Sequence, residues 1–132
     1  DISEAHSSQK KDAPSGTAVV LLNAVLSIYP SLQPIYSWQN QGPRKNNQIS
    51  VTSKRIGDIV GEHEVSFAGG GEILTLKHQV LDRKIFAQGA LECAKFLLDK
   101  PAGLYKMEDM IKTNCKNCSC KKLPTTNLDN QK

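Results

Sequence analysis

Aromatic residues are scarce: Phe, Tyr and Trp together make up 5% of the 132 residues. Aliphatic side chains must therefore fill the core, and a stacking platform for single-stranded nucleic acid is excluded. Long apolar runs are missing too. No stretch approaches the roughly 20 residues that a membrane-spanning helix needs, and no secretory leader is visible. Cysteine is sparse and badly spread for a disulfide framework. Cys93 falls inside a helical pattern, and Cys115, Cys118 and Cys120 crowd into the tail. That distribution predicts a reducing, cytoplasmic compartment. The formal charge is +4 without a long run of one sign, which predicts a small acidic ligand as partner, with no nucleic acid and no membrane. A nucleotide fingerprint is also absent. No strand is followed by Gly-x-Gly-x-x-Gly, and Gly69-Gly70-Gly71 opens no helix, so no dinucleotide site is expected in this chain.

What is present reads as one α+β domain over residues 1–112, followed by a polar tail, 113–132, expected to be disordered. Residues 1–5 read as the end of a strand. Asp12 is expected to cap a helix beginning near Ala13, with Pro14 in its first turn. Ala18, Leu21, Leu22, Val25, Leu26 and Tyr29 give that helix an apolar stripe, and Pro30 closes it. Residues 31–48 read as a long, mobile connection. Strands are predicted at 49–55, 62–67 and 72–80, paired as two antiparallel hairpins in series. A helix from Asp82 should bury Phe86, Ala90, Cys93 and Leu97, and a last short helix is expected over 106–112. Consecutive strands flanked by helices predict a mostly antiparallel or mixed sheet with helices on one face.

The chemistry concentrates in Glu4-Ala5-His6-Ser7-Ser8-Gln9-Lys10-Lys11-Asp12-Ala13-Pro14-Ser15-Gly16-Thr17-Ala18. At a helix start the amides of Ser15, Gly16 and Thr17 have no intrahelical acceptor, and with the helix dipole they form an anion site. Gly16 lets the anion approach the backbone, and Thr17 adds a hydroxyl. Lys10 can bring an ammonium to the same place. His6 is the nearby group that gives or takes a proton near neutral pH. An anion clamp, a cation and a proton donor are what reduction of a polarised double bond requires. Taken singly, each residue has a plainer role: Pro-Ser-Gly-Thr caps a helix, and a lone His or Lys is a solvated side chain. Their joint spacing is the signal.

That spacing resembles the signature of the 4-hydroxy-tetrahydrodipicolinate (dihydrodipicolinate) reductase family, Glu-x-His, three residues, Lys-x-Asp-x-Pro-Ser-Gly-Thr-Ala. It is matched at Glu4, His6, Lys10, Asp12, Pro14, Ser15, Gly16, Thr17 and Ala18. Residues 55–63 resemble the second block of the family, Arg-x-Gly-Asp-x-x-Gly-x-His, residues 86–90 its third, and residues 103–109 its last. Together they span residues 1 to about 111. The resemblance implies the substrate-binding, tetramer-forming C-terminal domain of an enzyme of diaminopimelate and lysine biosynthesis. Hydride would come from NADH or NADPH bound by an N-terminal domain that this chain lacks, so the chain alone is expected to be inactive. His6 would be the proton donor and Lys10 the charge that stabilises the transition state. Ser7, Ser15, Gly16 and Thr17 would contact a small dicarboxylate substrate. The sheets would pack into the central barrel of a homotetramer. The family has a second His directly after the first, and here that position is Ser7, a shorter and uncharged donor. That departure supports an alternative: a non-catalytic assembly or small-anion-binding module.

Outside these blocks, His63 and His78 read as structural residues on strands. His63 is expected to tie the turn at Gly57-Asp58, and Arg55 to pair with Asp58. Arg83 reads as a solvated head of the second helix. Cys115, Cys118 and Cys120 offer three thiolates where a structural zinc takes four ligands, so no metal site is expected.

Overall fold

The computed structural model describes residues 1–39 and 41–116. They form two compact units, Asp1–Ile85 and Phe86 onward. In the first unit β1 (Ile2–His6), α1 (Gly16–Ile28), β2 (Gln33–Ile35), β3 (Gln48–Arg55), β4 (Gly61–Gly69) and β5 (Glu72–Val80) follow in order. The strands make one open mixed sheet in the order β2-β3-β1-β4-β5. β1 runs parallel to β3 and antiparallel to β4. The α+β expectation holds.

Side chains alternate between the faces of a sheet, and register shows which ones meet. Ile2 lies opposite Val51 of β3 and Val65 of β4. These three share the face that α1 covers with Ala18 and Leu22, one turn apart. Ile2, Ala18, Leu22, Ile49 and Val51 form the buried core, flanked by Leu21, Val25, Leu26, Leu32 and Val65. Burying one such aliphatic side chain stabilises the fold by about 1.5–3 kcal/mol.

Several sequence expectations are corrected. The hairpin of β3 with β4 does not form, because β1 inserts between them. In that place Ile2 of the five-residue β1 completes the apolar row with Val51 and Val65. The 31–48 segment is not wholly irregular, since β2 pairs in parallel with the start of β3. The hairpin of β4 with β5 forms as expected. Gly69 pairs with Glu72, and the two loop residues, Gly70 (φ 60°) and Gly71 (φ 86°), both take the left-handed conformation such a tight loop demands.

Helix α1 starts three residues later than expected. Ser15, in extended conformation, is its N-cap: the Ser15 hydroxyl accepts the Ala18 N–H at 3.3 Å. Pro14 stands before the cap, not in the first turn. Asp12 is drawn away to an ion pair with Lys10 (2.8 Å).

After β5 comes α2 (Lys84–Leu97), which lies in the second unit from Phe86 on and is followed there by α3 (Met107–Lys116). The Asp82 carboxylate accepts the Lys84 N–H at 2.8 Å, in keeping with a helix starting there. The expected buried face of α2 is not found: no α2 residue is buried, and Phe86 is 57% exposed. Only Cys93 and Phe96 of its residues from Phe86 on are half-buried, and Phe96 meets the Tyr105 ring edge-on at 6.0 Å. A two-helix unit has too few elements to enclose a core of its own. α3 runs to Lys116, so the first residues of the expected tail are helical. The Cys115, Cys118 and Cys120 side chains and the chain beyond Lys116 lie outside the described residues.

Candidate active site

The face of the sheet that buries Ile2 turns polar toward the far end of β1. Glu4 lies opposite Ser53 of β3 and His63 of β4, and His63 lies opposite the exposed His78 of β5. One pleat further on, His6 lies opposite Arg55. Three successive rows on one face thus pass from apolar core to a cluster of ionisable groups.

Glu4 is the hub. It is 2% exposed, and both of its oxygens are engaged. Arg55 clamps them bidentately, Nη2 to Oε1 at 2.9 Å and Nη1 to Oε2 at 3.0 Å. Nδ1 of His6 lies 2.5 Å from Oε2. The Ser15 N–H donates to Oε1 at 3.3 Å. Burial opposes the charge of Glu4, but the bonds from Arg55, Ser53 and His6 outweigh it and hold its carboxyl down at about 2. Arg55 also reaches the Asp12 carbonyl at 2.5 Å, tying the segment before α1 to β3.

The expected pairing of Arg55 with Asp58 is therefore replaced by the clamp on Glu4. The turn after β3, where Gly57 has φ 51°, is held by Ser8, whose N–H and hydroxyl both donate to the Gly57 carbonyl (3.0 and 2.9 Å). His63 does not tie that turn either. Its Nε2 lies 3.0 Å from the Ser15 hydroxyl, and its ring meets His6 edge-on with centroids 5.0 Å apart. Burial, and then the charge of His6, push the His63 imidazole down from its ordinary range. His63, expected to be structural, joins the cluster around Glu4, His6 and Ser15.

The expectation of three open amides at the helix start becomes two. Ser15 is turned inward, with its N–H on Glu4 and its hydroxyl between Ala18 and His63. The first intrahelical bond runs from the Val19 N–H to the Ser15 carbonyl at 3.0 Å. Gly16 and Thr17 precede it and are exposed, so their N–H groups have no intrahelical acceptor at the positive end of α1. Lys10 is 28% exposed at its side chain and pairs with the open carboxylate of Asp12. Ser7 is half-buried, and its carbonyl accepts the Lys10 N–H at 3.0 Å. Arg83 is exposed.

Glu4, His6 and His63 bring ligand atoms within 4.8 Å of one another. A divalent ion fits poorly there, because both Glu4 oxygens already face a guanidinium. A dinucleotide fits no better among the described residues: Gly70 and Gly71 close a hairpin and leave no helix N-terminus behind them.

A family model described as dihydrodipicolinate reductase, C-terminus, matches residues 1–111. The chain belongs to this family. The 4-hydroxy-tetrahydrodipicolinate reductase of Caldanaerobacter subterraneus subsp. tengcongensis is 43% identical over 114 residues, covering 85% of this chain and 45% of the relative. That of Clostridium novyi is 44% identical over 115 residues, covering 86% and 45%. Among solved structures, the dipicolinate-bound dihydrodipicolinate reductase from Paenisporosarcina sp. TG-14 matches with TM-score 0.64 and 25% identity, over 83% of this chain and 43% of that one. The chain spans about half the length of the curated relatives it matches and corresponds to the C-terminal part of a dihydrodipicolinate reductase.

Within this reductase domain Gly61 has a spatial role. A Cβ there would lie 3.2 Å from Nε2 of His6. Gly61→Ala should therefore push the His6 ring against its bond to Glu4. Overpacking of this kind costs about 1–3 kcal/mol, and the low end is expected for a single methyl beside a partly exposed ring. Urea midpoints together with the His6 ring signals in NMR check it. An unchanged midpoint and unchanged ring signals would show that the ring has slack.

Proposed function

We propose that this chain is the substrate half of an NAD(P)H-dependent 4-hydroxy-tetrahydrodipicolinate reductase of diaminopimelate and lysine synthesis. The carrying observation is that one carboxylate, Glu4, holds both the candidate proton donor and the candidate anion site. Its Oε2 meets His6 Nδ1, and its Oε1 takes the N–H of Ser15, directly before Gly16 and Thr17. The same buried carboxylate therefore anchors both the ring and the residue before the clamp.

In this reading the N-H groups of Gly16 and Thr17 and the Thr17 hydroxyl bind a carboxylate of a small dicarboxylate substrate. Ser15 and Ser7 frame that site. Lys10 swings from Asp12, an exposed partner, to the developing negative charge, and His6 delivers the proton. NADH or NADPH, held by an N-terminal half, would supply the hydride. The exposed Phe67, Leu74 and Leu76 adjoin the edge strand β5 on the α1 face. They support assembly of the cytoplasmic enzyme as a homotetramer, since an apolar edge of this kind calls for a partner. No helix among the described residues is long and apolar enough to cross a membrane. Ser7 favours a second reading, a module that binds anions and assembles without catalysis.

Pyridine-2,6-dicarboxylate, a planar mimic of the substrate ring, tests the clamp. Titrated into the chain, it should shift the Gly16 and Thr17 amides in NMR. Lys10→Ala should weaken binding about tenfold, the loss of one charge-assisted hydrogen bond at a partly exposed site. Lys11→Ala should change it less than about twofold, since a solvated charge contributes little. Equal losses from the two variants would mean that general charge, not the motif, binds the ligand. Tight binding combined with no turnover in the full-length protein would favour the second reading.

A further inference from the structure

The proton-donor reading says nothing about which nitrogen of His6 acts or what selects it. We infer that Glu4 is a positioning residue that confines proton exchange at His6 to Nε2. The inference deepens the function proposed above and rests on it.

An ionised carboxylate only accepts hydrogen bonds. Glu4 remains ionised because Arg55 binds both of its oxygens. Nδ1 of His6, 2.5 Å from Oε2, must then carry the hydrogen of that bond. A neutral ring so held has its lone pair on Nε2 and is protonated there. The proton on Nε2 is the one that can leave without breaking the bond to Glu4. On that side stands Gly61, whose missing Cβ would lie 3.2 Å from Nε2. A glycine there leaves room for the ring to stand with Nε2 over β4. The other oxygen of Glu4 accepts the Ser15 N–H, so the same side chain fixes where α1 begins relative to the ring. Glu4 itself, 2% exposed and fully engaged, touches no substrate.

The test reads the tautomer directly. His6 ring nitrogens are observed by 15N NMR in the intact chain, at a pH where the imidazole is neutral. A pyrrole-like shift at Nδ1 and a pyridine-like shift at Nε2 are expected. An Nε2–H tautomer, or an even mixture, in the unmodified chain would overturn the inference. This spectrum decides the matter even if Glu4 variants do not fold. Where Glu4→Ala folds, the acceptor of Nδ1–H is lost and the Nε2–H form should appear; an unchanged tautomer would again overturn the inference. In the full-length reductase Glu4→Gln should lower kcat about 100-fold, the low end of general acid catalysis, with KM for the dicarboxylate within about threefold. A changed KM with unchanged kcat would reduce Glu4 to a structural role. If the unmodified protein neither binds pyridine-2,6-dicarboxylate nor turns over, the functional reading fails. The tautomer result still decides what Glu4 does to His6.

Discussion

Arg55→Ala should destabilise the domain by about 3–5 kcal/mol, the usual effect of stripping the partner from a buried charge. Glu4 has no exposed side-chain surface and accepts a hydrogen bond from each of Nη1 and Nη2 of the guanidinium. Without Arg55 the carboxylate keeps Ser15 and His6 but loses its only full counter-charge. The guanidinium also holds the carbonyls of Asp12 and Lys54, so the segment leading into α1 loosens as well. Against a total stability of about 5–15 kcal/mol, a loss of this size brings the domain close to unfolding. Nε of Arg55 is buried without a partner, so Arg55 is retained here by Glu4 and not by complete satisfaction of its own donors. Removing both charges, as in Glu4→Gln with Arg55→Met, should therefore restore a large part of the loss. A double variant no better than Arg55→Ala alone would show that the bonds to Asp12 and Lys54 dominate.

The pH dependence gives the same pair a second readout. The Glu4 carboxyl is held at about 2 in the folded protein, below the ordinary value of about 4.3. The folded state thus binds fewer protons than the unfolded chain. The pair contributes its stability fully above about pH 4.3 and loses it as pH falls through the folded value. His63 is also lowered, so its contribution is present above the ordinary histidine range of about 6.5 and fades below it. Two windows follow, one setting in below pH 6.5 and one in stronger acid. Urea midpoints across both should show Arg55→Ala flattening the acid window alone.

Part of this site was legible in the sequence and part was not, for a physical reason. The helix start at Gly16 and Thr17, with Lys10 and His6 upstream, is a local pattern, and local patterns survive in spacing. The β4–β5 hairpin is local too, written in alternation and in two adjacent glycines. Arg55 and His63 come to Glu4 and Ser15 from 51 and 48 residues away. Nothing local announces that β1 divides β3 from β4, so Arg55 was assigned to its neighbour Asp58. A signal did exist. Ile2, Glu4 and His6 alternate on one face, as do Val51, Ser53 and Arg55, and His63 and Val65. Aligning the three apolar residues places the two polar rows without further information. The late start of α1 has a similar cause: Asp12 and Ser15 are both good caps, and only the ion pair with Lys10 and the bond to His63 show which of them is free to act.

Under the proposed function the largest effect on activity is expected from His6→Gln in the full-length protein, a fall in kcat of about 10²–10⁴, the range for loss of a positioned general acid. Gln is the discriminating substitution. Its amide N–H can keep the bond to Oε2 of Glu4, and its length roughly preserves the packing against His63 and Gly61, but it cannot give up a proton at the operating pH. The proposed carboxylate clamp at Gly16 and Thr17 lies on another element, and in that reading makes no use of the imidazole. The affinity for pyridine-2,6-dicarboxylate should therefore change less than about threefold, while turnover collapses. That split separates His6 from Lys10, whose removal should weaken ligand binding as well. It also separates proton delivery from mere architecture, because a structural histidine replaced by a well-fitting amide would leave kcat within about tenfold. If turnover and affinity fall together, His6 is a carboxylate ligand. The donor must then be sought at His63, the other imidazole of the cluster, whose lowered proton affinity makes it a poorer store of a proton but a readier source of one.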